Sequence, residues 1–347
     1  MTIDRTVNYL VDGHQYDEPV LDRIIALYRT ENYSECASLI AAIDDVLAPS
    51  ANCSRIPQLN ILEMYAWSYY FAGDFERADQ ILMSAEEKLG GEIGLSSLAV
   101  LQGWLLVKKG KYNAALSHIR STIKLAKAHG VTDNMPNMLM LRGMIQYRLG
   151  HMALAEEDLK GSVSLSRVLG DCIYECHASN SLGLVLMTIG EYIEASDTLK
   201  RALGIAVSTG QYRKQLQIHI NMAIVYSKKG DIDLAMQSCK KAKAVIASVA
   251  DKSQLPAVYI MQCRLAMMCG DMSQAEIISR KLLSGEPAII EARFEPLILE
   301  TCGDVALCKM NRESAERYYH RAIAIVQSSA PDGDIVAECL RRLASLR

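Results

Sequence analysis

The strongest constraint on the fold is a repeat of forty residues that runs through most of the chain. Three marks define each copy: a small residue, a glycine seven positions later, and an alanine five positions after that. The small residues are Gly103, Gly143, Gly183, Ala223, Cys263 and Gly303; the glycines are Gly110, Gly150, Gly190, Gly230 and Gly270, with Met310 at the sixth mark; the alanines are Ala115, Ala155, Ala195, Ala235, Ala275 and Ala315. An earlier copy places Ala66, Gly73 and Ala78 at the marks, and a degraded first copy carries Glu31 and Cys36. The chain therefore contains eight copies.

Each copy has a second break, because Gly90, Gly130, Gly170 and Gly210 also stand forty residues apart. Between two breaks the apolar residues recur at helical spacing; Ile193, Leu199 and Ala202 share one face. A glycine suits the left-handed conformation that ends a helix. The pattern predicts helix, tight turn, helix and loop in every copy. One such hairpin cannot bury its apolar face alone, so the copies are expected to stack into one elongated array.

The composition favours helical structure and argues against a nucleic-acid-binding, secreted or membrane-spanning protein. Prolines number only eight, and half of the 347 residues are apolar. A formal net charge of −3 provides no strong field for nucleic acid or acidic lipid. The N-terminus lacks the pattern of a signal peptide, and no apolar run is long enough to span a bilayer. The ten cysteines are scattered, which favours a reduced, cytoplasmic protein.

The repeat resembles the tetratricopeptide repeat family, most clearly in "NSLGLVLMTIGEYIEASDTLKRAL" and "INMAIVYSKKGDIDLAMQSCKKAK". The resemblance covers residues 18–328 and implies an all-α, right-handed superhelical solenoid of about eight hairpins. Residues 1–17 are then an N-terminal leader, and residues 334–347 are either a capping helix or the start of a truncated further repeat. The copy is longer than the usual unit of about 34 residues. In this it resembles the long-unit arrays of bacterial regulatory and sensor proteins.

Family geometry implies a binding groove lined by the first helix of each copy. If the small residue is position zero, positions −3, +1 and +4 face this concave groove, and position −6 adds a polar row. The candidate groove residues are Trp67, Tyr70, Trp104, Met140, Met144, Tyr147, His177, Asn180 and Met187. Methionine and aromatic side chains suit adaptable apolar recognition. The alternative interpretation is that a tightly wound superhelix buries these side chains as ordinary packing residues.

Two stretches contain residues typical of chemical sites, but their spacing does not fit such a site. Residues 103–119 have two glycines and lysines, but the first glycine falls inside a helix and no Gly-Lys-Ser/Thr sequence follows, which argues against a phosphate loop. Cys172, Cys176 and His177 could share a helical face, but no second ligand pair lies near them. The sequence therefore predicts no catalytic residue, no metal and no cofactor.

The resulting hypothesis is a non-enzymatic module that binds a protein or peptide segment, such as an amphipathic helix, in an apolar groove. It would be the sensor or interaction part of a cytoplasmic bacterial regulatory protein in transcription or signalling, without membrane contact or direct nucleic-acid binding. Two alternatives stay open. One is a small-molecule sensor that closes around a ligand near Trp104, Met144 and Tyr147, and the other is an assembly scaffold that homo-oligomerises through its terminal units.

Overall fold

The computed structural model describes residues 55–89, 97–132, 134–249, 254–284, 294–329 and 333–346, together with residues 35, 36, 38 and 39. These residues form fifteen long helices and no strand. The helices are α1 (Arg55–Ala72), α2 (Phe75–Leu89), α3 (Ser97–Lys108), α4 (Tyr112–Ala128), α5 (Met135–Arg148), α6 (Met152–Leu169), α7 (Cys172–Thr188), α8 (Tyr192–Ser208), α9 (Tyr212–Lys229), α10 (Ile232–Val249), α11 (Leu255–Met268), α12 (Met272–Leu283), α13 (Glu295–Cys308), α14 (Arg312–Ser329) and α15 (Gly333–Ala344). The prediction of an all-α chain of helical hairpins is confirmed. The predicted leader, residues 1–17, and nearly all of the degraded first copy lie outside the described residues.

The turn inside the described hairpins is the tight turn that the repeat predicts, with glycine in every case except the last, which has Met310. After α3, the N–H of Lys111 donates to the carbonyl of Leu106 at 2.9 Å, and the N–H of Gly110 donates to the carbonyl of Val107 at 3.0 Å. This pair of bonds is the Schellman pattern, which requires a left-handed residue at Gly110, where φ is +70°. Met310 takes the same conformation with φ of +60°, and Asn311 makes the equivalent bond to Ala306.

The small residue at position zero allows close helix packing. A Cβ on Gly103 would lie 2.6 Å from Cδ2 of Leu141 on α5, and a Cβ on Gly143 would lie 2.9 Å from Cγ of Leu159 on α6. Neither contact leaves room for a side chain. The small residue therefore brings α3 against the following hairpin and α5 against its own partner helix.

The chain divides into two compact units. The first contains residues 1–185 and 204–211, and the second contains residues 186–203 and 212–347. The core of the first unit packs Val100, Ile119, Leu141 and Ile145 between α3, α4 and α5. The second unit has two clusters, one between α11, α12 and α13 and one between α13, α14 and α15.

Helix α15 packs on α13 and α14 in the second unit. Cys339 and Leu346 are buried there, and the Arg342 guanidinium lies 3.4 Å from Asp304 and 3.1 Å from Glu338. In the repeat numbering, position 343 is where the next small residue would stand, so α15 occupies the place of a further first helix. Its role as a cap or as the start of another repeat remains a prediction.

None of the described helices is both long enough and apolar enough to cross a membrane.

Candidate functional site

The candidate groove positions divide into a buried row and a more accessible row. In the first unit, position −3 is buried in every copy, at Glu63, Val100, Met140 and Asn180. Positions +1 and +4 are mostly half-buried, so part of each side chain reaches solvent. We call these accessible side chains of the first unit the first-helix face; they are Tyr70, Trp104, Val107, Met144, Tyr147 and Leu184. The face is apolar and aromatic, whereas the −3 row beneath it belongs to the core.

Trp67 stands at position +1 but is buried, with 8% of its surface exposed. Its ring stacks on Phe71 at 5.4 Å between centroids and meets Tyr70 edge-on at 5.6 Å. Its indole Nε1 donates a hydrogen bond of 3.2 Å to the hydroxyl of Ser97, the first residue of α3. Packing and hydrogen bonding therefore hold Trp67 inside the joint between the first two described hairpins.

Trp104 occupies the same register one copy later and is only half-buried. Its ring packs against the core cluster of the first unit. Its Nε1 donates a longer bond, 3.4 Å, to Oδ1 of Asn137 on α5. Both tryptophans thus reach the polar residue at position −6 of the next first helix, but only Trp104 leaves part of its ring accessible.

The polar row at position −6 is largely occupied by these internal bonds. Ser97 and Asn137 are buried, and the Asn137 amide also donates to the Tyr174 hydroxyl at 3.0 Å. His177 is half-buried, and its Nε2 lies 3.2 Å from Oε1 of Gln211. Gln217 in the second unit is exposed. The side chains at 97 and 137 are therefore engaged within the protein itself.

A buried carboxylate lies beneath the first-helix face, and the sequence pattern did not single it out. Glu63 on α1 accepts a 2.8 Å hydrogen bond from the backbone N–H of Ser97. Burial raises the pKa of Glu63 to about 7, although the two hydrogen bonds to Ser97 lower it. Burial also raises the pKa of Tyr174 on α7, with further contributions from the charges of Asp171 and Glu63. An acidic residue at a core position was the available sequence signal, since buried carboxylates are rare.

In the second unit, the residues at the same repeat positions differ in character. At positions +1 and +4, the apolar residues are all half-buried: Met187, Ile224, Met267 and Leu307. The +1 row then becomes charged. Arg264 lies 3.4 Å from the buried Glu300, and Asp304 accepts a 2.8 Å bond from the Tyr319 hydroxyl. Met187 is the one candidate residue that belongs to this unit rather than to the first.

The Cys172, Cys176 and His177 cluster does not converge. Cys172 is exposed, Cys176 is buried, and His177 is bonded to Gln211. Among the described residues, no group of three or more histidine, cysteine or acidic side chains is placed to hold a metal ion.

The chain is similar to tetratricopeptide repeat proteins both in a short stretch of sequence and in fold. The family model for the tetratricopeptide repeat matches residues 216–246, which span most of α9 and α10. No curated protein sequence matches the chain significantly. A tetratricopeptide repeat protein from Parabacteroides merdae is similar in structure, with 18% identity, a TM-score of 0.55, and coverage of 82% of this chain and 97% of that one.

Two further solved structures are similar over nearly the whole chain. A Rap protein complexed with Competence and Sporulation Factor has 13% identity and a TM-score of 0.62, and the match covers 99% of this chain and 97% of that one. The Cut9–Hcn1 hetero-tetramer of the APC/C has 12% identity and a TM-score of 0.63, with coverage of 97% and 59%. Tetratricopeptide repeat arrays serve in protein–protein interaction or as scaffolds and are in general not enzymes. The forty-residue hairpins and the similar solved structures show that the chain has the fold of a tetratricopeptide repeat array, and the family model matches the hairpin of α9 and α10.

Proposed function

We propose that the chain is a non-enzymatic interaction module that binds a segment of a partner protein on the first-helix face of the first unit. Tyr70, Trp104, Met144 and Tyr147 are the proposed contacts. The observation that carries this proposal is their partial exposure on consecutive first helices, whose −3 positions, about one or two turns earlier, are buried. Half-exposed aromatic and methionine side chains lose water readily when a partner covers them, and such residues dominate binding energy at interfaces.

The occupied polar row favours a helical partner segment over an extended one. An extended peptide needs hydrogen-bond partners for its own N–H and C=O groups. Ser97 and Asn137 already bond to the two tryptophans, and Asn137 also bonds to Tyr174. A helix satisfies its backbone internally and needs only an apolar face to meet. The proposed ligand is therefore an amphipathic helix of a partner protein.

Because Trp67 is buried and Trp104 is partly exposed, the two tryptophans are not equally useful as probes of binding. Trp67 is held by Ser97, Phe71 and Tyr70, so its replacement would damage the hairpin joint rather than a binding surface. Trp104 is the better probe of binding. The similar folds of a Rap protein complexed with Competence and Sporulation Factor and of the Cut9–Hcn1 assembly support a binding role. We further propose that the module is the interaction part of a cytoplasmic regulatory protein.

The test begins with a photo-crosslinking amino acid at Tyr147, with the same group at the exposed Ser164 of α6 as the control position. A partner captured from the source organism only at 147 is then produced pure and its affinity measured. We expect Trp104→Ala to weaken binding at least tenfold, since truncation of a central aromatic residue costs about 2 kcal/mol or more. Val168→Ala, at an exposed position of α6, should leave the affinity unchanged.

Circular dichroism must show that Trp104→Ala keeps its helices. Equal affinity of the wild-type protein and a folded Trp104→Ala variant would refute the proposed contact surface. A metabolite that changes the tryptophan fluorescence of the wild-type protein but not that of a Trp104→Phe variant, with no protein partner present, would instead favour the small-molecule sensor.

A further inference from the structure

A run of forty residues that includes all of α3 and α4 has basic side chains and no acidic ones. Residues 93–132 contain no aspartate or glutamate, yet they carry Lys108, Lys109, Lys111, Arg120, Lys124 and Lys127. This run of forty residues stands in a chain whose formal net charge is −3. The whole-chain charge therefore conceals a strong local excess of positive charge.

The fold concentrates three of these cations on one side of α4. Ala115, Ile119, Ile123 and Ala126 are the buried side of that helix. The opposite side presents Asn113, Ser117, Arg120, Lys124 and Lys127, all exposed and spaced three or four residues apart. We call Arg120, Lys124 and Lys127 the basic stripe. It runs along about 10 Å of the helix, because each residue advances about 1.5 Å.

The basic stripe is not neutralised within the described part of the chain, where none of its three cations forms an ion pair. Nearby surface cations do: Lys109 lies 2.7 Å from Asp79, Lys160 lies 2.7 Å from Glu156, and Arg167 lies 2.6 Å from Glu175. Lys127 sits in the last turn, where the helix dipole favours a cation. Arg120 lies mid-helix, beyond the reach of that effect, so the dipole does not account for the stripe.

Acidic side chains on the neighbouring second helices limit the width of an anionic partner that can bind the basic stripe. Helix α2, in the preceding hairpin, exposes Glu76, Glu86 and Glu87, and helix α6, in the following hairpin, exposes Glu157. A nucleic-acid backbone or an anionic membrane extends over several helices and would meet these carboxylates as well. A single acidic helix lying along α4 would meet the basic stripe alone.

We propose that the basic stripe of α4 is a docking site for an acidic helical segment of a partner protein, with carboxylates at helical spacing opposite Arg120, Lys124 and Lys127. This surface is separate from the first-helix face. Each exposed ion pair contributes little by itself. The contact is therefore of modest affinity, and it weakens with salt because exposed charges are screened.

The test uses the full chain and a fluorescein-labelled helical peptide with glutamates three and four residues apart in an alanine background. Its counterpart has glutamine in place of every glutamate. Anisotropy at low salt should show binding of the glutamate peptide only. The triple variant Arg120→Glu, Lys124→Glu, Lys127→Glu should bind it at least tenfold more weakly. The matched control, Lys200→Glu, Lys240→Glu, Lys241→Glu, has the same change in net charge on exposed positions of α8 and α10 and should bind within about twofold of wild type.

Several results would overturn the proposal. Equal losses in both triple variants would mean that only net charge matters, and equal binding of the glutamine peptide would remove the role of the carboxylates. Tighter binding of a single-stranded oligonucleotide or of phosphatidylserine vesicles than of the peptide would assign the stripe to a different partner class. A dimer in sedimentation that only the α4 variant dissolves would make a second copy the occupant. Circular dichroism of both variants confirms that any loss does not come from unfolding.

Discussion

The ring of Tyr319 on α14 fills the space above Gly303 on α13. A Cβ on Gly303 would lie 2.5 Å from Cε1 of that ring and 2.9 Å from two of its other carbons. Tyr319 is fully buried and its hydroxyl donates to Asp304 at 2.8 Å, so packing and this hydrogen bond hold the ring in place. This contact is the extreme case of the close packing that the small residue at position zero permits.

Gly303→Ala is therefore expected to destabilise the second unit by about 1–3 kcal/mol, the usual cost of overpacking a filled core. The free energy of unfolding in urea measures the effect. Gly204→Ala is the matched control, because Gly204 lies within α8 and a Cβ there would meet no atom within 4 Å. That change should stabilise the protein by about 0.5–1 kcal/mol, since alanine favours a helix over glycine. A Gly303→Ala protein as stable as wild type would show that Tyr319 can move.

Met310 is expected to strain its turn. It has φ of +60° where the six preceding copies carry glycine, and its side chain is 89% exposed, so it gains little packing in return. Met310→Gly should raise the free energy of unfolding by about 1 kcal/mol, the order of the left-handed penalty. Met310→Ala retains the strained backbone and should change stability little. If Met310→Gly and Met310→Ala change the free energy of unfolding equally, the cause is the loss of the methionine side chain and not relief of backbone strain.

Stability should depend on pH through Glu63 in an unusual direction. Its pKa in the folded protein is about 7, against an ordinary value of 4.5, so the folded state holds a proton that the unfolded chain has lost. Binding of this proton therefore favours the folded state. Its contribution to the free energy of unfolding is complete below about pH 4.5 and is lost as the pH rises to about 7. Glu63→Gln should remove this loss, and at pH 8 it should be more stable than wild type by on the order of 2–3 kcal/mol.

The measurement is the difference in unfolding free energy between wild type and Glu63→Gln from pH 4.5 to pH 8. Glu87→Gln, at an exposed position of α2, is the control and should follow wild type at every pH. Parallel curves for wild type and Glu63→Gln would contradict the effect.

His219 on α9 should act in the opposite sense. Burial, with a smaller contribution from the charge of Lys241, lowers its pKa to about 4, and its Nδ1 has no hydrogen-bond partner among the described residues. The folded protein holds this ring neutral, so the unfolded chain binds a proton first on acidification. The contribution of the neutral ring to the free energy of unfolding is complete above about pH 6.5 and is lost as the pH falls towards 4. His219→Gln should flatten the unfolding curve over this range, whereas His320→Gln, at an exposed position, should not. An unchanged acid dependence in His219→Gln would contradict the burial of a neutral ring.

The repeat spacing predicted the hairpins well because their causes are local. Helix α3 ends at the left-handed Gly110, where the N–H groups of Gly110 and Lys111 donate to the carbonyls of Val107 and Leu106, and the same marks end the first helix of the other described copies. Gly103 and Gly143 likewise stand where the pattern requires a small residue between two helices. The sequence alone therefore determined the helical class, the length of the unit and the positions of the turns.

The environment of the candidate residues depended on side chains from other helices, and the pattern could not supply it. Trp67 and Trp104 share one register, but Phe71, Tyr70 and Ser97 surround the first while the second stays half-buried. Glu63 acquires its raised pKa from burial beside Ser97, thirty-four residues away. Helix ends follow from neighbours along the chain, whereas burial and electrostatics sum over neighbours in space. For that reason, only the tertiary structure decided which tryptophan is accessible and which carboxylate is buried.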